Sequence, residues 1–295
     1  MCHTPPKQWS LLQWRPSFPR QARQTVRHPT FRGLVNRADP AFFQIRLAMG
    51  ELDLLAAQRL RYRVFVEELG GSGPFVDHEA RLERDEFDPV VDHLCLIDTR
   101  RDEGALDHVV GVYRLLRGDQ AARFGRFYCD SEYDLAPLRA CGRPLLELGR
   151  SCVDAEYRGG SGMFLMWNAL ADYVLDHGIE ILFGVASFHG TDAQALAPSL
   201  SWLHHKHLAP PQLRPRARDE GFQRMDLIAP DGLDRREAMI GMPALIKAYL
   251  RLGGQVGEGA FIDRDFNTTD VFLLMDTGAM SAKHKQFYES RWQPT

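Results

Sequence analysis

The chain has no CxxC pair, no apolar run near the roughly 20 residues that cross a bilayer, no internal repeat and no low-complexity block. Its five cysteines (Cys2, Cys95, Cys129, Cys141, Cys152) are an odd, scattered set, which argues against a disulfide framework or zinc site and for a reducing compartment. The N-terminus lacks the apolar core of a secretory signal. The expected location is cytoplasmic, with any work on lipid done peripherally at the inner face of the membrane. No GxSxG elbow, Walker loop or HExxH pair is present. His204, His205 and His207 lie together without a carboxylate or cysteine at ligand spacing, so no metal site is expected. A net charge of −3 over 295 residues does not suit a nucleic-acid binder.

What remains is an ordinary globular composition, 44% hydrophobic and 25% charged. Residues 1–40 are basic and proline-dotted and read as a flexible extension; the sharper alternative is an arm whose arginines and aromatics meet anionic lipid. Residues 41–278 alternate strand and helix patterns, and residues 279–295 form a polar tail. Periodicity predicts strands over 42–47, 93–98, 108–116, 145–153, 180–188 and 222–228, and helices over 51–69, 162–177 and 192–208. A short helix after Met242 and a hairpin over 259–275 follow, while 72–89 reads as an acidic loop and 120–143 as irregular. This order is that of an α/β fold with a mixed sheet.

The chemistry concentrates in residues 145–162, LLELGRSCVDAEYRGGSG. Glu147 and Arg150 lie three apart, so a flat strand aims them to opposite faces; a bulge or a splayed sheet is needed to bring both to one cleft. Otherwise one sits in a buried ion pair and the other at the surface. A buried Glu147 beside a cleft suits a general base for an amine, directly or through water. Arg158, Gly159, Gly160 and Gly162 lead into a helix and either cradle a phosphate or form a plain turn. Arg61 and Phe65 share a helical face, where the arginine either snorkels or binds an anion. Asp85 and Asp88 bracket Phe87, either as a solvated charge run or as carboxylates for an amine substrate.

In this order, LRYRVF, DEFD, GVYRLL and ELGR resemble the acyl-homoserine-lactone synthases and their relatives in the GNAT-like acyltransferase superfamily. The matching positions are Arg61 with Phe65, Asp85 with Asp88, Arg114, and Glu147 with Arg150. The tryptophan those synthases place soon after the phenylalanine is missing, and Gly71 stands near that point, which speaks against a homoserine-lactone product. The fuller likeness, from about residue 52 to 275 and including YRGG and the late IDRDFNTTDVF block, is to the hemolysin-like ornithine N-acyltransferases that form lyso-ornithine lipid.

That resemblance implies a GNAT-like fold, a mixed central sheet flanked by helices, with an N-terminal extension and a C-terminal helix–hairpin addition. It implies an enzyme with no permanently bound cofactor. The reaction would pass a 3-hydroxyacyl group from the phosphopantetheine of acyl carrier protein to the α-amine of L-ornithine, the first step of ornithine lipid synthesis. Glu147 and Arg150 would be catalytic. Arg61 or Arg114 would take the acceptor's carboxylate and Asp85 or Asp88 its side-chain amine, with Phe65 beside them. Arg158, Gly159, Gly160 and Gly162 would hold the pantetheine phosphate, and Arg139, Arg143 and Arg158 would steer the acidic carrier. Phe65, Phe87, Met163, Phe164 and Phe183 are candidates for the acyl tunnel, each equally credible as core. The amine would attack the thioester directly, with Cys152 as the rival nucleophile. The competing readings are the same fold with another acceptor, a passive carrier- or lipid-binding module, and a membrane-lytic protein. So many grouped charges argue against the passive binder.

Overall fold

A computed structural model describes residues 42–74, 76–158 and 162–279. The basic extension, Gly159 and Gly160 of the glycine turn, and nearly all of the polar tail lie outside the described residues.

The chain opens with β1 (Phe43–Leu47) and α1 (Glu51–Arg61), which continues without a break as a π-helix over Tyr62–Glu68. The acidic stretch that follows is more than a loop, because β2 (Val76–Asp77) and β3 (Leu82–Glu83) pair as a small hairpin. β4 (Asp92–Asp98) and β5 (Val109–Arg117) follow the predicted pattern. The segment expected to be irregular holds α2 (Gly118–Phe124), a 3-10 turn over Tyr128–Ser131, β6 (Tyr133–Asp134) and α3 (Ala136–Ala140). Next come β7 (Leu145–Val153), α4 (Gly162–Asp176), β8 (Ile181–His189), α5 (Ala197–His207), β9 (Arg216–Ala217) and β10 (Phe222–Gln223). The chain closes with α6 (Arg235–Gly241), α7 (Ala244–Arg251) and the hairpin of β11 (Gln255–Asp263) and β12 (Thr268–Asp276). None of the described helices is long and apolar enough to cross a membrane.

Two expected elements shrink. The helix over 192–208 begins only at Ala197, because Asp192 Oδ1 accepts the Gln194 amide (2.9 Å) in a turn and Pro198 suits only a first helical turn. The strand over 222–228 stops at Gln223, because the Leu227 and Ile228 amides donate to Ser201 Oγ of α5 (3.0 and 2.9 Å) and not to a neighbouring strand.

The strands form a mixed sheet in the order β1-β4-β5-β7-β8-β12-β11-β9-β6, with β10 pairing on β11. The β7–β8 pair is parallel and short: Leu145 faces Ile181, Leu146 faces Leu182 and Glu147 faces Phe183, and then the strands part. Gly184 marks the parting, since a Cβ there would overlap the Leu148 carbonyl. A parallel connection needs a crossover, and α4 supplies it, burying Met166, Leu170 and Tyr173 in the main core. That core covers one sheet face beneath α4, α5 and α7. On the other face, Ala56, Ala57 and Leu60 of α1 pack over β4, β5 and β7. Phe127, Leu135 and Leu138 pack beside them against β8 and β12.

Candidate active site

Where β7 and β8 part, a cavity of about 450 Å³ opens through the sheet. Strand alternation puts Leu148, Leu182, Leu273 and Met275 on one face, with Leu245 and Tyr249 of α7 closing that side. Glu147, Arg114 and Ser187 belong to the opposite face, the one carrying α1. The cavity is therefore apolar on one side of the sheet and charged on the other.

Arg150 joins Glu147 on the charged side through a β-bulge. Against β5, Gly149 pairs with Arg114 and the register resumes at Cys152 with Val112, so Arg150 and Ser151 together oppose Tyr113. Arg150 adopts the left-handed φ of 48°. The extra residue shifts the alternation by one step, and positions 147 and 150 reach one cleft.

Around them lies a closed ion-pair network. Arg61 is fully buried at the end of α1; its guanidinium donates to Glu83 Oε2, to the Glu83 carbonyl (2.7 Å) and to both Asp88 oxygens (2.6 and 3.0 Å). Arg114 donates to Asp85 (2.6 Å) and Asp88 (3.3 Å), and Arg150 to Glu83 (3.1 Å) and Asp85 (3.4 Å). Three guanidinium groups thus balance three carboxylates. Burial opposes ionisation of Asp88, but Arg61 and Arg114 hold its carboxyl well below the usual range, and Glu83 and Asp85 are lowered likewise.

The network sorts the residues that the sequence singles out. Arg61, Asp85 and Asp88, expected to bind substrate, pair within the network and are not among the residues lining the cavity. Arg114, Glu147, Arg150 and Phe65 do line it. Glu83, which no motif singled out, completes the network; only its place in the acidic stretch hinted at it. Phe87 and Phe183 also line the cavity, whereas Met163 packs on the main core and Phe164 is exposed. Cys152 is buried beneath α1 and off the cavity wall, and burial pushes its thiol far above its ordinary value.

Glu147 is itself anchored. Its oxygens accept the amides of Tyr128 (2.8 Å) and Cys129 (2.7 Å) at the start of the 3-10 turn. Burial pushes its carboxyl up, and these hydrogen bonds only partly pull it back. The Cys129 thiol also hydrogen-bonds this carboxylate, and the side chain lines the cavity.

Arg158 donates to the Val153 carbonyl (2.9 Å) and to Glu68 (2.6 Å), just ahead of α4. Gly162 begins that helix, and a Cβ there would press on Leu96 at 3.0 Å. Arg139 pairs with Asp130, and Arg143 with Glu180 and Asp276.

The missing tryptophan has a physical explanation. Gly71 is buried, and a Cβ on it would stand 2.7 Å from the Phe65 carbonyl and 2.9 Å from the Phe266 ring. Phe266, from the turn between β11 and β12, occupies that space and lines the cavity. The late sequence block and the glycine are two halves of one packing arrangement.

A second acidic group, unnoticed in the sequence, also faces the cavity. Glu132, Asp263 and Asp270 each bring a carboxylate oxygen within 4.8 Å of the others. Glu132 and Asp270 are 5% and 3% exposed, yet Glu132 Oε2 and Asp270 Oδ1 have no hydrogen-bond partner. Burial, with Asp270 and Asp263 nearby, pushes Glu132 well above the usual carboxylate range; burial and Asp263 bring Asp270 to about 6 despite a hydrogen bond from Ser187. Three carboxylates so placed suit a cation.

Residues 60–168 match the family model described as an acetyltransferase (GNAT) domain. An L-ornithine N(alpha)-acyltransferase of Rhodobacter capsulatus is 68% identical over 254 residues, covering 86% of this chain and 97% of that protein. A protein of the same name from Brucella abortus is 40% identical over 248 residues, covering 83% and 88%. Among solved structures, FeeM, an N-acyl amino acid synthase from uncultured soil microbes, aligns with a TM-score of 0.45 at 13% identity over 80% of this chain and 92% of its own. The CoA-dependent acyl-homoserine lactone synthase BjaI aligns at 0.44 and 16% identity, over 81% and 82%. The protein is an acyltransferase with a GNAT-like fold, and the chain belongs to the L-ornithine N(alpha)-acyltransferase family.

Proposed function

We propose that this enzyme transfers a 3-hydroxyacyl group from acyl carrier protein to the α-amine of L-ornithine, forming lyso-ornithine lipid. The observation that carries the reading is the cavity at the β7–β8 parting. It is apolar on one sheet face and charged on the other, in a chain 68% identical to a named ornithine N-acyltransferase.

The acyl chain lies among Leu148, Leu182 and Leu273. The thioester carbonyl rests against the edge of β7 beyond Glu147, where β8 no longer pairs with it. A backbone N–H there stabilises the oxyanion. Glu147, with its raised carboxyl, accepts a proton from the acceptor nitrogen, directly or through a water. The nitrogen then attacks, the C–N bond forms, the C–S bond breaks, and the departing thiolate takes the nitrogen's surplus proton, leaving a neutral amide and the free pantetheine thiol. Arg114 and Arg150 are the network arginines on the wall, and they take the acceptor's α-carboxylate. Their fixed partners keep both guanidinium groups aimed before substrate arrives. The pantetheine arm runs toward Arg158 and the start of α4, and the acidic carrier docks outside. A membrane-facing role for the basic N-terminal segment, at the inner face of the membrane, belongs to the same reading.

The test is to incubate the purified chain with 3-hydroxyacyl carrier protein and a panel of amino acids, and to identify N-acyl products by mass. A single product with ornithine is expected. No product with any acceptor ends the reading, and product from the CoA thioester alone removes the carrier protein from it.

A further inference from the structure

The network leaves the acceptor's second amine without the partner the motifs suggested. Asp85 and Asp88 are already matched by Arg61, Arg114 and Arg150, and neither reaches the cavity wall. Glu132, Asp263 and Asp270 do reach it, and no ion pair among the described residues includes them. Buried polar atoms are almost always partnered, and an unmatched buried carboxylate is costly. Glu132 Oε2 and Asp270 Oδ1 are two such atoms in a single cavity. Resting on the proposed acylation of ornithine, we infer that Glu132, Asp263 and Asp270 hold the acceptor's side-chain ammonium and so select diamino acids over neutral ones.

The spacing fits. An ammonium donates three hydrogen bonds, and three acceptors about 2.8 Å from its nitrogen stand about 4.6 Å apart. The three carboxylate oxygens lie within 4.8 Å of one another. The reach fits as well. Glu147 registers with Phe183, and Asp270 registers with Ser187 on the same face of β8. Those positions are four residues apart, about 13 Å along a strand. An extended 1,4-diamine spans about 6 Å, and a hydrogen bond of about 3 Å at each end brings the total to about 12 Å. The reacting nitrogen at Glu147 and the distal one at the acidic trio are thus compatible with one ornithine molecule. A neutral side chain of the same length would leave the trio's charge unmatched, which makes rejection stronger than simple loss of a contact.

The test compares L-ornithine with L-norvaline, which has the same carbon chain and no second amine. Initial rates are measured on the full chain with 3-hydroxyacyl carrier protein, for the wild type, Asp270→Asn and Glu132→Gln. The wild type is expected to prefer ornithine by on the order of 10²-fold or more in kcat/KM. Each variant should lose about 10- to 100-fold with ornithine while norvaline is accepted better than by the wild type, because less unmatched charge is left, so that selectivity collapses. Equal losses with both acceptors, or no loss with ornithine, overturn the inference. Calorimetry supplies a readout independent of acyl transfer. Ornithine should bind the wild type at least about tenfold more tightly than it binds Asp270→Asn. Titration with magnesium or calcium chloride that shows wild-type binding abolished in Asp270→Asn overturns the inference in favour of a metal site. If the wild type acylates no amino acid, the parent reading falls, and the ornithine titration alone still decides the trio.

Discussion

Arg150 projects to the same side of β7 as Glu147, three residues before it, because Arg150 is itself the left-handed residue of a bulge opposite Tyr113. One residue thus performs two tasks: its backbone resets the strand and its guanidinium ties Glu83 and Asp85 to the cavity wall.

The two tasks separate by mutation. Arg150→Ala and Arg150→Gly both remove the guanidinium and should both lose most turnover. The left-handed conformation costs an L-residue about 1–2 kcal/mol and glycine nothing. Arg150→Gly should therefore be about 1 kcal/mol more stable than Arg150→Ala in urea unfolding. Equal stabilities would mean that the bulge relaxes once the arginine is gone.

Arg61 is fully buried within the network and lies off the cavity wall. Arg61→Met leaves Glu83 and Asp88 buried without their partner and should destabilise the fold by about 3–5 kcal/mol. Arg61→Lys should recover little, since a compact ammonium cannot match the fork that reaches both carboxylates and a carbonyl. Chemical unfolding measures both, and a loss under about 1 kcal/mol for Arg61→Met would be at odds with a closed network.

Asp270 gives a pH signature. Burial raises its carboxyl from 3.8 to about 6. A group whose proton is held more tightly in the folded state favours folding fully below its unfolded pKa, and that contribution is lost as pH rises through the folded value. Asp270→Asn should therefore stabilise the protein at neutral pH by on the order of 1–3 kcal/mol, with the gain fading toward about pH 4. Glu83, Asp85 and Asp88 have the opposite sign: their lowered pKa values contribute stability above the ordinary carboxylate range, lost as pH falls. Urea midpoints of the wild type and Asp270→Asn across that window check the prediction, and a difference constant with pH would contradict it.

Cys152 lies under α1 and off the cavity wall. Cys152→Ala should keep turnover within about twofold, as direct attack by the amine requires. A thioester trapped on the wild type and lost in this variant would reverse that conclusion.

Much of the fold was legible because periodicity reports buried faces. α4, β7 and the late hairpin emerge from apolar spacing alone, and the order of Arg61, Asp85, Asp88, Arg114, Glu147 and Arg150 marks the site's neighbourhood. Spacing does not report which charge meets which. Nothing in a linear pattern says that Arg61 and Asp88 bond each other. The bulge depends on the register with β5, which only the assembled sheet defines. Glu132 sits just after a 3-10 turn with no period to read, and Asp263 and Asp270 look like ordinary polar positions of a hairpin until the sheet brings them together. β9 and β10 are two residues each, too short to alternate.

The brief contact between β7 and β8 has a mechanical consequence. It divides the sheet into two half-frames, β1-β4-β5-β7 and β8-β12-β11-β9-β6, joined at the backbone by three rungs. Arg114, Glu147 and Arg150 belong to the first frame, Asp263 and Asp270 to the second. An acceptor reaching from Glu147 to Asp270 would serve as a crossbar between the frames. That seam is also where the two substrates would meet.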